Sequence, residues 1–327
     1  AEMAAQQLHS LIIDYTDGFL PKQIEKPFAA IAQPANHFVV HNKLPLSPFK
    51  PQTVQLDPSV PEVQENPYQV AGRIASIFSS IYETMGEQQK ATLMRTIEAG
   101  AATSNNFTFR ELLEWLREEG QHGETLANKI EPLIKADPFR EGEDAAWQEM
   151  LHSTDSWVHI LQLAGMGKIV QRLVTELVLW DLYDYARANG SKYRPIPLVL
   201  DEVHNLDHSS DSPVDKMLRE GRKFGLSMIL ATQTMSNFSR EERDRLFQAS
   251  HKLIFRPADT EIDQFATLLS SVTKQSKKEW HERLSNLNKG QCWSIGPTET
   301  SSGNLETKDI QVSITPFEQR GIYRGEG

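Results

Sequence analysis

The chain has 327 residues, a net charge of −10 and a pI near 5.5, so it carries no global basic field of the kind that marks a surface nucleic-acid binder. One cysteine, Cys292, excludes an intramolecular disulfide framework and fits a reducing cytosol, giving a cytoplasmic expectation. No apolar run approaches the ~18 residues of a membrane span, and no signal-peptide pattern is present.

The chain opens with a helical "AEMAAQQLHS" and enters a strand at Leu11 to Asp14. A Pro-rich segment from Pro21 to Pro67 follows, in which short extended pieces such as "HFVVHN" and "TVQLD" alternate with turns, predicting irregular structure wrapped on the domain. Ile74, Ile77, Phe78, Ile81, Tyr82 and Met85 then recur at the spacing of one helix face, "GEQQKATLMRTIEAG" continues as a second helix, and Thr108 with Glu111 sets a capping box before "FRELLEWLREEG". Helical pieces reach about Leu151. From Trp157 onward strands and helices alternate: strand to Leu163, helix 168–188, strand 196–201, helix 211–224, strand 226–232, helix 239–248 and a strand in "HKLIFRP". Such alternation predicts an α/β fold with a mostly parallel sheet and helices on both faces. The expected organisation is 1–69 as first core strand and Pro-rich segment, 70–151 as an inserted helical subdomain, and 152–327 as the core.

The segment from Pro197 to Gln233 carries the chemistry. An apolar strand, "PLVL", ends in Asp201 and Glu202, placing two carboxylates where open parallel sheets bind ligands. In phosphoryl transfer such a pair divides labour: Asp201 holds Mg²⁺ or its water shell, and Glu202 orients or deprotonates the attacking water. Arg222, in "REGRKFGL", suits the equatorial oxygens of a transferring phosphoryl group because its fork of donors spans two of them, in trans if that helix end faces a neighbour's nucleotide. Complementing the helix dipole is its structural alternative, and Arg219 and Arg256 are other candidate fingers. Gln233 closes the next strand, as a γ-phosphate sensor or as a strand cap. Asp14 ends the first strand close to where nucleotide would lie, as a cofactor contact or a turn-forming Asp.

No GxxxxGK[ST] loop is present. In "QLAGMGKIV" Gln162 occupies the first Gly position and Ile169 the Ser/Thr position, which reads as a strand-to-helix turn. The expectation is that the chain is a carboxyl-terminal fragment beginning just after its own P-loop, inactive by itself. His204 and His208, with Asp207 and Asp211 nearby, have helical metal-ligand spacing but lack a Cys or third His. Arg240, Arg243 and Arg245, and Lys274, Lys277 and Lys278, are candidate DNA contacts, interleaved with Glu241, Glu242 and Glu279 as a solvated helix face would be. Cys292 beside Trp293 reads as packing in a short apolar strand.

"LVLDEVHNL", "REGRKFGLSMILATQ", "WVHILQLAG…LVTELVLWDL" and "LPLSPF" together resemble the HerA/FtsK superfamily of ring-forming, DNA-pumping ATPases, and within it the carboxyl-terminal ATPase region of phosphorothioation-dependent DNA restriction proteins. The resemblance runs from Leu11 to about Ile314 and is most specific after Trp157. It implies a RecA-like domain, ATP and Mg²⁺ as cofactors, and a hexameric ring around double-stranded DNA acting as translocase or helicase with other proteins of a defence system. Asp201 and Glu202 match its Walker B acids, Arg222 the arginine finger and Gln233 the sensor. A conjugation or secretion ATPase of the same superfamily and a P-loop-less scaffold are the alternatives.

Overall fold

The structure, a computed structural model, describes residues 2–54, 59, 61–104, 106–141, 147–210, 212–316 and 319. By its internal contacts the chain divides into two units, Ala1–Ala231 and Thr232–Gly327.

The first unit opens with α1 (Glu2–Ala5), β1 (Ser10–Asp14), α2 (Lys26–Ala32), β2 (Pro34–Phe38) and α3 (Val39–Asn42). The short pair β3 (Thr53–Val54) and β4 (Val63–Gln64) follows, then the helices α4 (Pro67–Ile81), α5 (Glu87–Thr103), α6 (Phe109–Glu118), α7 (Gly120–Ala136) and α8 (Trp147–His152). The unit closes with β5 (Val158–Gln162), α9 (Lys168–Asn189), β6 (Ile196–Leu200), α10 (Pro213–Glu220), a 3₁₀ turn at Gly221–Phe224, and β7 (Leu226–Leu230).

Five strands form one sheet in the order β2-β5-β1-β6-β7, and every pairing is parallel. All of β1 and β5 is buried, as expected for inner strands of a sheet covered on both faces. On one side Ile12, Val158 and Ile160 pack with Ala4 and Ala32, joined by Phe19, Phe28 and Trp157.

The helical segment is built from amphipathic helices with defined starts. Asn66 and Gln69 form a capping box at α4, and Thr108 and Glu111 do so at α6, satisfying amide groups that a helix start otherwise leaves open. Ile74, Phe78, Leu93, Ile97, Leu112, Leu116, Leu126 and Ile130 are all fully buried, forming its interior. The Pro-rich segment is anchored to α4 by Arg73, which bonds Glu65 at 2.9 Å and donates to the carbonyls of Pro48 and Lys50.

In the second unit α11 (Arg240–Leu246) and β8 (Lys252–Phe255) precede α12 (Ile262–Val272), α13 (Lys277–Ser285), β9 (Gln291–Glu299) and β10 (Leu305–Ser313). Its three strands are antiparallel, in the order β10-β9-β8. Trp280 and Leu284 of α13, Leu269 of α12 and Ile295 of β9 form the core, with Trp293 edge-on to Trp280 at 5.5 Å between centroids.

Several expectations require correction. "HFVVHN" is not a single extended piece: Phe38 ends β2, an edge strand of the parallel sheet, and Val39–Asn42 turns helical. The "HKLIFRP" strand belongs to the antiparallel sheet, because its partner is β9 rather than a strand reached by a helical crossover. Cys292 lies in a nine-residue strand, not a short one, and is buried there. The opening helix is shorter than "AEMAAQQLHS", ending at Ala5, because Gln7 takes a positive φ and the chain turns toward β1. The 211–224 helix is interrupted at Gly221, where 3₁₀ geometry tightens the chain before β7; Asp211 lies outside the described residues, as do 55–57 of "TVQLD".

Candidate functional site

The carboxyl ends of β5, β1 and β6 lie side by side, since β1 pairs with both neighbours in parallel. Each end carries a polar residue: Gln162 on β5, Asp14 on β1, and Asp201 just past β6. Asp14 is 1% exposed, and its carboxylate accepts four hydrogen bonds, from Thr16 N and Oγ1, Phe19 N and Gln162 Nε2, at 2.8–3.0 Å. That network accounts for a turn-building Asp, the structural of its two readings.

The acidic turn after β6 is held from several directions. Glu202 has φ 49° and ψ 46°, the left-handed conformation that side-chain-bearing residues rarely adopt. Its amide donates to Asp201 Oδ1 at 2.9 Å, and its carbonyl accepts from Asn205 N and Asn205 Nδ2 at 3.0 and 3.1 Å. Val203 N donates to Ala231 O at 3.0 Å, while Ala231 N donates to Leu200 O, joining the turn to the residue after β7. The Glu202 carboxylate lies 3.2 Å from His204 Nδ1, and both side chains are partly exposed. Holding a Glu in this conformation costs about 1–2 kcal/mol, which the surrounding bonds offset. The result is a turn whose backbone is fixed where two acidic residues follow one another at the strand end.

Asp201 and Glu202 offer hard oxygen donors, which suits Mg²⁺, an ion that keeps several waters and takes one or two protein carboxylates together with substrate phosphates. Among the described residues no group of three or more His, Cys, Asp or Glu could hold a metal by itself. His208 is instead buried, with Nε2 2.7 Å from Val203 O, where it closes the loop behind the acids.

Arg222 does not join these carboxylates within one unit. It is exposed on the 3₁₀ turn that precedes β7, and Gly225 O receives Ile196 N at the start of β6. Arg222 and Glu202 therefore stand at opposite ends of parallel strands, separated by a five-residue strand of about 16 Å. Gly225 makes the turn with φ 81°, and a Cβ there would meet Ser191 O at 2.4 Å, so a side chain is excluded by conformation and by space. Gln233 lies in the second unit and is exposed. In that unit Glu261 accepts from the Met235 and Ser236 amides and from the Thr234 hydroxyl, fixing the segment that follows Gln233. These bonds hold the Glu261 carboxyl below its ordinary pKa, against a burial effect that acts in the opposite direction.

"QLAGMGKIV" is a strand-to-helix turn. Gly165 has φ 90°, Leu163 N donates to Asp14 O at 2.9 Å, and α9 starts at Lys168. Three residues of this neighbourhood escape sequence reading. Gln171 Nε2 donates to the carbonyls of Tyr15 and Leu163, both at 3.0 Å, and Glu176 Oε1 accepts from Asp207 N at 2.7 Å. The faint signal is polarity flanking the apolar stripe of Val170, Leu173, Val174 and Leu177, with Gln171 and Thr175 on one flank and Glu176 on the other.

Arg240, Arg243 and Arg245 sit on α11, which has a capping box from Ser239 and Glu242, and Lys277 and Lys278 begin α13. Lys277 is paired with Asp263 at 2.7 Å. No helix among the described residues is long and apolar enough to cross a membrane.

No family model matches the sequence, and no curated protein sequence matches it. Solved structures do. VirB4 of Thermoanaerobacter pseudethanolicus superposes with a TM-score of 0.68 at 17% identity, covering 97% of this chain and 84% of that one. The bacterial conjugative coupling protein TrwB in its trigonal form with sulphate gives 0.55 at 13% identity, over 95% of this chain and 86% of that one. TrwB in complex with the non-hydrolysable ATP analogue ADPNP gives 0.54 at 12% identity, over 97% and 87%. With its parallel five-strand sheet flanked by helices, the chain has a RecA-like α/β fold, the fold it shares with VirB4 and TrwB.

Proposed function

We propose that this chain carries the hydrolytic half of an ATP-driven motor of the HerA/FtsK type. The observation behind this reading is the pair Asp201 and Glu202 at the carboxyl end of an inner parallel strand, with Glu202 held in a left-handed conformation as its carbonyl accepts from Asn205 and its amide donates to Asp201. Asp201 would hold Mg²⁺ through its water shell, and Glu202 would orient the attacking water and take its proton. Arg222, exposed and remote from its own acids, suits a finger that serves the site of a neighbouring copy in a ring. Gln233 would sense the γ-phosphate, and Asp14 would shape the floor beneath it. The phosphate cradle of such a site needs a glycine-rich loop with a lysine, which these 327 residues do not contain.

The sequence resemblance favours a DptH-like role, in which the motor and partner proteins restrict DNA lacking phosphorothioate modification. A second reading, a conjugation or secretion ATPase, is favoured by the likeness to VirB4 and TrwB. In the first, double-stranded DNA in the pore of a homo-hexamer is the expected substrate for the translocase; in the second, the motor moves DNA or protein through a membrane complex.

ATP hydrolysis by the natural full-length protein, with and without double-stranded DNA and against Glu202→Gln, tests the motor. DNA-stimulated turnover abolished by the substitution supports it. Equal turnover in wild type and variant overturns the role of Glu202, and none in either favours a scaffold. Transformation of cells with modified and unmodified plasmid separates the two uses: a restriction motor rejects unmodified DNA, and Glu202→Gln abolishes the rejection.

A further inference from the structure

One helix ties together the carboxyl ends of three neighbouring strands through side chains that bond to backbone. Near its start, Gln171 of α9 donates to the carbonyls of Tyr15, after β1, and Leu163, after β5. Thr175, one turn on, returns its hydroxyl to Gln171 O at 2.9 Å. Glu176 then reaches the third strand end, accepting Asp207 N at 2.7 Å in the loop that follows the acidic turn of β6. The loop is short: Val203 N is bound to Ala231 O, His208 Nε2 meets Val203 O, and Asp207 N goes to Glu176. These contacts close residues 203–208 on themselves and on the end of β7, and the bond to Glu176 is the one among them that joins the loop to α9.

Glu176 is 1% exposed, and its Oε2 has no hydrogen-bond partner among the described residues. The titratable and charged groups that face it are Asp207 in the loop, Arg172 on its own helix and Tyr15 at the end of β1. A carboxyl group kept away from water with one bonded oxygen favours its neutral form, and burial raises the Glu176 pKa to about 8. As a neutral acid it accepts the Asp207 amide hydrogen without placing a buried negative charge beside the Asp207 carboxylate.

We propose that Glu176 is a positioning residue for Glu202, fixing the acidic turn to α9 so that the direction of the Glu202 carboxylate is set by the same helix that holds the ends of β1 and β5. This rests on the reading of Glu202 as the water-orienting acid; the holding of the turn does not.

The two parts are tested separately. Amide hydrogen exchange in the 327-residue chain reads the holding. Glu176→Leu, which removes the acceptor, is expected to speed exchange at Val203, Leu206 and Asp207 by about tenfold or more, with β9 and β10 unaffected. Glu176→Gln, which keeps an acceptor in the shape of the neutral acid, is expected to stay within about twofold of wild type. Glu176→Asp, with its acceptor drawn back, should behave as Leu does and serves if the Leu variant does not fold. Unchanged exchange in both Leu and Asp variants overturns the proposal. In the full-length protein, Glu176→Asp should lower kcat for ATP with KM little changed, and Glu176→Gln should restore kcat and remove a loss of rate above about pH 8. Faster exchange with kcat unchanged overturns the positioning role. If Glu202→Gln hydrolyses ATP as wild type does, the reading of Glu202 fails, and the exchange measurements alone decide whether Glu176 holds the turn.

Discussion

Gln162 Nε2 donates to Asp14 Oδ2 at 2.8 Å, adding a side-chain link to the backbone pairing that joins the carboxyl ends of two buried parallel strands. The bond sits where a phosphate loop would need its first glycine, and it uses the residue that makes such a loop impossible here. Asp14 also gathers Thr16 N, Thr16 Oγ1 and Phe19 N, so removing the carboxylate leaves several donors without an acceptor. Asp14→Ala is expected to destabilise the first unit by about 2–4 kcal/mol, and Asp14→Asn by less, because it keeps one acceptor oxygen. Urea denaturation of the two variants checks the order.

Glu202 sets stability against function. Asn tolerates the left-handed region better than Glu does, so Glu202→Asn should keep the folding free energy or raise it by up to about 1 kcal/mol while ATP hydrolysis by the full-length protein is lost. A loss of stability of about 2 kcal/mol or more would mean that the His204 contact outweighs the backbone strain.

His9, His37 and His159 form a stacked imidazole group on the first unit, with His37 Nε2 3.2 Å from His159 Nδ1 and the His9 and His159 rings 6.0 Å apart. Burial lowers all three pKa values, that of His159 to about 4, and the positive charges of neighbouring His152 and Arg194 act on His9 in the same direction. Between about pH 6.5 and 4 the unfolded chain therefore binds more protons than the folded one, and stability is full above the unfolded pKa and falls as the pH drops. The slope from His159 alone is at most about 1.4 kcal/mol per pH unit. Thermal unfolding at pH 7.5 and 5.0 should differ by less in His159→Asn than in wild type.

Trp280 is fully buried in the second unit, and its Nε1 donates to Thr273 Oγ1 at 2.6 Å. Trp280→Ala is expected to cost about 3–5 kcal/mol. Hydrogen exchange followed by mass spectrometry should place the lost protection in α12, α13 and β9 and leave β1, β5 and β6 protected.

The alternation after Trp157 was legible because buried parallel strands are short apolar runs and their crossover helices carry an apolar stripe. It did not tell "KLIF" from another parallel strand, since four apolar-rich residues carry no direction and the partner β9 lies far along the chain. Asp201 and Glu202 could be read from an apolar run ending in two acids, but not the positive φ of Glu202, which arises from bonds to Asn205 and Asp201. The distance of Arg222 from the acids follows from chain direction, because a residue ahead of β7 lies at the end of the sheet where β6 begins. Gln171 and Glu176 stayed hidden because their partners are backbone groups of other strands, which no pattern along one helix reveals.

The two margins of the parallel sheet differ in kind. At β2 the strand is "PANHF", opening with a proline that has no amide hydrogen to offer, and a helix follows at once. At β7 the strand is "LSMIL", free of proline and charge, with Ile229 38% exposed and β6 its one partner among the described residues. One margin is blunted and the other is a template, able to direct an incoming extended segment into register. These 327 residues at high concentration should therefore self-associate through the β7 side, and a lysine in place of Ile229 should keep them apart.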